Sequence, residues 1–80
     1  MEAYKVVSID ELSIIKLKVE NDMLVATISD GRIVSIPVVW FPRLRGVSRE
    51  KLNHFEISPS GYGIHWPEID EDISIKAFLP

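Results

Sequence analysis

Ile15, Leu17 and Val19 alternate with Lys16, Lys18 and Glu20. This period of two is expected where one face of a strand meets a core and the other meets water. Asn21-Asp22 follows as a two-residue turn, and Met23 to Ile28 is again rich in β-favouring residues. Asp30-Gly31 signals a second reversal, because a tight hairpin turn needs positive φ and glycine adopts it at little cost. Arg32 to Ile36 reads as a further strand, and Pro37 ends it because proline has no N–H to donate. Taken as two-residue loops, the turns agree with each other. The first sets Val19 against Leu24, Leu17 against Ala26 and Ile15 against Ile28; the second sets Ile28 against Ile33 and Ala26 against Ser35. The pattern predicts a three-stranded antiparallel meander with Ile15, Leu17, Val19, Leu24, Ala26, Ile28 and Ile33 on one face. The other face, with Lys16, Lys18, Met23, Val25, Thr27, Val34 and Ile36, is mixed and is expected to be covered by later parts of the chain.

Beyond Pro37 the pattern changes. Pro37-Val38-Val39-Trp40-Phe41 allows one short helical turn before Phe41-Pro42 stops it. Ser48 is placed to cap a helix of one to two turns over Arg49-Glu50-Lys51-Leu52-Asn53. Phe55 and Ile57 then alternate with polar residues, Pro59-Ser60-Gly61 reads as a turn, and Tyr62, Ile64 and Trp66 alternate with Gly63 and His65. This predicts a second hairpin, closed by Pro67. Ser74 is a cap for a last short helix, Ile75 to Leu79. The expected fold class is α+β: an antiparallel β-meander plus a second β-hairpin with short helices, in one small domain spanning 1–80.

Composition narrows the function classes. Without cysteine there is no disulfide and no thiolate for metal or nucleophilic chemistry, so the apolar share of 46% must supply the core. No run approaches the roughly 18 apolar residues of a membrane helix, and Met1–Asp10 lacks a basic stretch followed by an apolar one. A cytoplasmic protein with no membrane association is expected. The net charge of −3 is unevenly spread: −2 over residues 1–40, +3 over 41–54 and −4 over 55–80. The basic segment holds Arg43, Arg45, Arg49 and Lys51, the acidic one Glu68, Asp70, Glu71 and Asp72. Pairing between them within the fold is the expected outcome. The acidic run itself reads as a solvated loop, lacking the glycine and terminal glutamate of a calcium loop.

Chemistry-bearing groups are sparse. His54 and His65 flank the second hairpin's turn, and with Glu56 they make the donor types of a small hydrolase or a metal site, though their spacing fits no ligand motif. The serines lie at turns and caps, with no nucleophile elbow. No catalytic, cofactor or metal residue is therefore assigned. Arg43, Arg45, Arg49 and Lys51, beside Trp40, Phe41 and Tyr62, supply the charges and stacking rings of a nucleic-acid interface. The acidic total argues against that use. If one of Trp40, Phe41 or Trp66 were exposed beside the arginines, the patch would have the composition of a protein-binding hot spot.

Several segments taken together resemble a known bacterial family, domain of unknown function 2442. They are Asp30-Gly31-Arg32, Ile36 to Leu44 (IPVVWFPRL), Gly61 to Pro67 (GYGIHWP), Asp70 to Ser74 (DEDIS) and Leu79. The resemblance covers nearly the whole chain. It implies a compact α+β domain with an antiparallel sheet and short helices, no established activity and no catalytic residues to carry over. Some members of the family are thought to be encoded beside other small proteins in arrangements like toxin–antitoxin pairs. The combined expectation is a non-enzymatic protein-interaction module, antitoxin-like in that sense. It would bind a protein partner or self-associate through Trp40, Phe41, Arg43, Arg45, Arg49 and Lys51.

Overall fold

A computed structural model of the chain describes residues 11–79; the expectation made for Met1–Asp10 falls outside them. The described residues form two antiparallel sheets. The N-terminal sheet is a meander of β1 (Ile14–Glu20), β2 (Met23–Ile28) and β3 (Ile33–Pro37). The C-terminal sheet is a second meander of β4 (Glu56–Ile57), β5 (Gly63–Trp66) and β6 (Glu71–Ser74). Between them run short helical pieces. These are 3₁₀ turns Val38–Trp40 and Pro42–Leu44 and the single α-helical turn α1 (Arg49–Leu52); another 3₁₀ turn, Ile75–Phe78, follows β6. The fold is thus mostly β, with minor helices.

The first turn forms as the residues dictate. Asn21 and Asp22 both hold positive φ, 52° and 61°, as a two-residue hairpin loop of this kind requires. Val19 accordingly faces Leu24 and Leu17 faces Ala26. Nearer its start, β1 carries a bulge: Ile14, not Ile15, faces Ile28, and the next pair is Lys16 with Thr27. The extra residue turns Ile15 out to 61% exposure while Ile14 is buried at 3%. The expected placement of Ile15 in the core is therefore corrected by one residue.

The second turn corrects β3. Ile28 N–H donates to Arg32 O (2.9 Å) and Gly31 N–H to Ile28 O (2.9 Å), so the loop is Ser29-Asp30-Gly31. Only Gly31 in it holds positive φ, at 100°, which suits a three-residue loop ending in a left-handed glycine. One added loop residue moves every pair: Thr27 faces Ile33, Ala26 faces Val34 and Leu24 faces Ile36. Ile33 is consequently 68% exposed and Ile36 only 3%, the reverse of the two-residue expectation. Among the described residues the outer face of this sheet is not covered as expected either. Lys16, Lys18, Val25, Thr27 and Ile33 line an open depression on it, while Ile75 and Phe78 of the last 3₁₀ turn go into the core.

The core joins both sheets. Ile14, Leu17, Leu24, Ala26, Ile28 and Ile36 meet Ile64, Trp66 and Ile73, with Val38, Leu44, Leu52, Ile75 and Phe78 closing the ends. Trp66 is wholly buried, its ring tilted against Phe55 with centroids 6.3 Å apart. Its indole N–H donates to Leu52 O at 2.9 Å, so the largest core side chain buries its polar atom satisfied. Burying a large apolar side chain contributes about 1.5–3 kcal/mol, and an unpaired N–H there would forfeit much of that. Both expected caps are present: Ser48 Oγ accepts from Lys51 N–H and Ser74 Oγ from Lys76 N–H.

The second hairpin has the expected parity, with Glu56 opposite His65 and Ile57 opposite Ile64. It also gains a strand. Glu71, Asp72 and Ile73 pair with Trp66, His65 and Ile64, so the acidic run is only partly a loop. Ile73 supplies the apolar side chain that holds β6 down, at 4% exposure. The reversal Pro67–Asp70 that precedes β6 ends with Asp70 at φ 57°.

Candidate interaction surface

The segment after β3 is positioned by alternate burial. Val38 N–H donates to Asp22 O (2.9 Å) and the Val38 side chain is buried. Phe41 packs in part against the core and Leu44 is fully buried. These anchors leave the intervening residues facing out: Val39 is 57% exposed and Trp40 67%. Of the two tryptophans, then, Trp66 is core and Trp40 is surface. Pro42, at the first position of its 3₁₀ turn, fixes the chain direction between them.

Arg43 and Arg45 are held by backbone, not by carboxylates. Arg45 Nε donates to Val39 O at 2.8 Å, and Arg43 Nη2 donates to Ile69 O at 3.1 Å. Each guanidinium keeps other donors directed outward. Arg49 and Lys51 lie on α1, both exposed. Among the described residues the ion pairs are Lys18–Glu20, Arg32–Asp30, His54–Glu68 and His65–Asp72. The arginines of the basic segment thus meet the acidic run through the Ile69 carbonyl, and the expected charge pairing of Arg43 or Arg45 with the acidic carboxylates does not form. A patch of Val39, Trp40, Arg43 and Arg45 results, with Arg49 and Lys51 carried further along the same segment.

The histidines take the acidic side chains instead. His54 Nδ1 lies 2.9 Å from Glu68 Oε2, and His65 Nδ1 lies 2.7 Å from Asp72 Oδ1. Each ring thus has its own carboxylate, and among the described residues no group of three or more His, Asp or Glu side chains is arranged to hold a metal ion. The alternative donor set of His54, His65 and Glu56 is not assembled among the described residues. Among the described residues no helix is long and apolar enough to cross a membrane.

A second concave surface was not foreseen from the residues. The outer face of the C-terminal sheet forms an open groove of about 560 Å³ lined by Glu56, Ser58, Tyr62, Gly63, His65 and Asp72, among others. Its signal in the sequence is the run Gly-Tyr-Gly with Glu56 and Asp72 on either side. That signal becomes readable only when β6 is placed beside β5.

Two three-stranded antiparallel meanders closed over one core, with an exposed Trp–Arg segment between them, define a small mostly β protein. The chain belongs to the DUF2442 family, described as protein of unknown function, whose model matches residues 14–79. It is similar to a protein of unknown function from Rhodospirillum rubrum ATCC 11170, known from a crystal structure. The identity is 25%, 86% of each chain is covered and the TM-score is 0.77. The solution structure of an uncharacterized protein from Chromobacterium violaceum shares the fold, with 23% identity, 84% of this chain and 63% of that one covered, and a TM-score of 0.71. No curated protein matches the chain.

Proposed function

We propose that this protein is a non-enzymatic protein-interaction module whose docking surface is centred on Trp40. The observation that carries the reading is a tryptophan 67% exposed beside a valine 57% exposed, with Arg45 fixed to the backbone between them. Exposed large apolar area of this kind gains most when a partner covers it. Tryptophan and arginine are also the residues that most often dominate binding energy in such patches. The Arg45 side chain is partly preorganised, so less rotamer entropy is lost when a partner docks. The antitoxin-like role suggested by the family resemblance fits this reading: a small partner protein encoded nearby would be the natural occupant.

Purification from native cells should yield a stoichiometric protein partner. Trp40→Ala should weaken that complex by about 2 kcal/mol or more, roughly thirtyfold, with an unchanged far-UV circular dichroism spectrum. Arg43→Glu with Arg45→Glu should weaken it further. A monomeric protein that captures nothing in stoichiometric amount would remove the basis of the reading. The same residues would also suit a nucleic acid, and salt-sensitive anisotropy changes with short single-stranded probes would reassign the surface to that use.

A further inference from the structure

The segments 61–67 and 70–74, which carry much of the family likeness, take no part in the Trp40 surface. They meet on the outer face of the C-terminal sheet. Cross-strand pairing sets two rows there. One is Glu56–His65–Asp72, from β4, β5 and β6. The other is Ser58–Gly63–Ser74, Ser58 being joined to Gly63 by Ser58 N–H to Gly63 O (3.0 Å) and Gly63 N–H to Ser58 Oγ (3.1 Å). A glycine between two serines leaves the second row low, so it forms a trough. Tyr62, 63% exposed, and Pro59 stand beside it. Gly63 also has little room for a side chain, since a Cβ would come within 3.1 Å of Ile73 O.

The charge of the groove is one-sided. Glu56 and Asp72 line it, and among the described residues no lysine or arginine does. His65 touches Asp72 through Nδ1, and among the described residues its other ring nitrogen and the Glu56 carboxylate take no hydrogen-bond partner. Asp72 has a side chain 77% exposed, so a ligand can reach it. Ser58 Oγ and Ser74 Oγ each already accept a backbone N–H, so their hydroxyl protons are left to donate.

We propose that this groove binds an arginine side chain presented by a polypeptide partner. The alkyl stem would lie along the Ser58–Gly63–Ser74 trough, with the serine hydroxyls donating to the partner's backbone carbonyls. The planar guanidinium would stack on Tyr62 and donate toward Glu56 and Asp72. Arginine suits the site better than lysine because a flat, multiply donating cation can stack on a ring while pairing bidentately with a carboxylate. The site lies apart from the Trp40 segment, and neither depends on the other.

The test is a titration of the ¹⁵N-labelled full chain, followed by amide shifts. The probes are acetyl-Gly-Arg-Gly-amide, acetyl-Gly-Glu-Gly-amide and methylguanidinium. Saturable shifts at Gly63, His65 and Asp72 are expected with the arginine peptide alone. Affinity should fall about tenfold in Glu56→Gln/Asp72→Asn, as loss of charged hydrogen bonds implies, and several-fold in Tyr62→Ala. All these positions are on the surface, so retained amide dispersion will show that the variants fold. Arg43→Glu with Arg45→Glu should leave the titration unchanged. The proposal is overturned by absence of saturation, by equal binding of the glutamate peptide, or by a double variant that binds like the parent. Equal shifts from methylguanidinium overturn it too, because they would mean that only a free cation is attracted.

Discussion

The N-terminal sheet is built on strands of seven, six and five residues, the C-terminal sheet on strands of two, four and four. The long strands are held by their own ladder and by an unbroken inner row of apolar side chains, joined through short turns. The short strands have too few ladder bonds for that. They are held by ties to other parts of the chain. Ile14 N–H donates to Gly61 O (2.6 Å), Ile75 N–H to Tyr62 O (2.8 Å), and the Trp66 indole to Leu52 O. One sheet is specified by a repeated pattern and the other by single residues in particular places. A change of backbone freedom should therefore be cheap in the first and costly in the second.

Glycine gives the largest expected contrast. Gly31 and Gly61 both hold positive φ, 100° and 75°. A Cβ at Gly31 would meet none of the described residues within 4 Å, whereas one at Gly61 would lie 2.6 Å from Ser13 Cβ and 2.9 Å from Ile14 O. Gly31→Ala should cost only the left-handed penalty, about 1–2 kcal/mol. Gly61→Ala adds a clash with backbone that cannot swing away, for a total of about 2–5 kcal/mol. That approaches the whole stability of a domain of this size. Urea denaturation of the two variants measures the difference. Equal midpoints would mean that the Gly61–Ile14 junction is not what secures the C-terminal sheet.

Within the N-terminal sheet the contrast lies between faces. Ile36→Ala should cost about 2–4 kcal/mol, as a buried isoleucine does. Ile33→Ala, three residues earlier on the same strand, should stay within about 0.5 kcal/mol. The opposite ranking would restore a two-residue loop at Asp30-Gly31 and shift β3 by one place.

That comparison also marks how far the residues could be read. Strand order, the first turn, both serine caps and the parity of β5 were all legible, because each rests on local chemistry. The second turn was not. Asp-Gly is compatible with a two-residue loop, which needs positive φ at both central residues, and with a three-residue loop, which needs it only at the glycine. Here Ser29 joins the loop: its Oγ accepts Ser13 N–H at 2.9 Å, and Ser29 N–H donates to Ser13 O at 2.8 Å. That bond draws in the bulged start of β1, so the same long-range contact accounts for both the Ile15 and the Ile33 displacements. The acidic residues hid β6, since Glu71 and Asp72 are poor strand formers and Ile73 alone marks its inner face. For the candidate surface the composition was visible but the exposure was not. Trp40 and Trp66 each sit close before a proline, and nothing local tells which one fills the core.

The smallest expected effect concerns the turn that set β3. Asp30 accepts from Arg32 N–H (3.2 Å) and Nε (2.8 Å), and Arg32 Nη2 lies 2.7 Å away. Desolvation of the carboxyl acts to raise its pKa, but the hydrogen bonds and charge of Arg32 outweigh it and hold the group below the usual aspartate value. A carboxyl whose pKa is depressed on folding contributes stability above its unfolded pKa, about 3.9. That contribution is lost as pH falls through the folded value. Asp30→Asn should therefore lower the urea midpoint slightly and evenly above about pH 5, with the gap from the parent closing as the medium is made more acid. Added salt should narrow it as well, because the pair is open to solvent. A gap that persists unchanged into acid would mean that the Asn side chain fails to replace the turn's hydrogen bonds and that charge contributes nothing. A drop as large as that of Gly61→Ala would overturn the contrast between the sheets, since a solvent-facing turn of the N-terminal meander would then matter as much as the buried junction of the other.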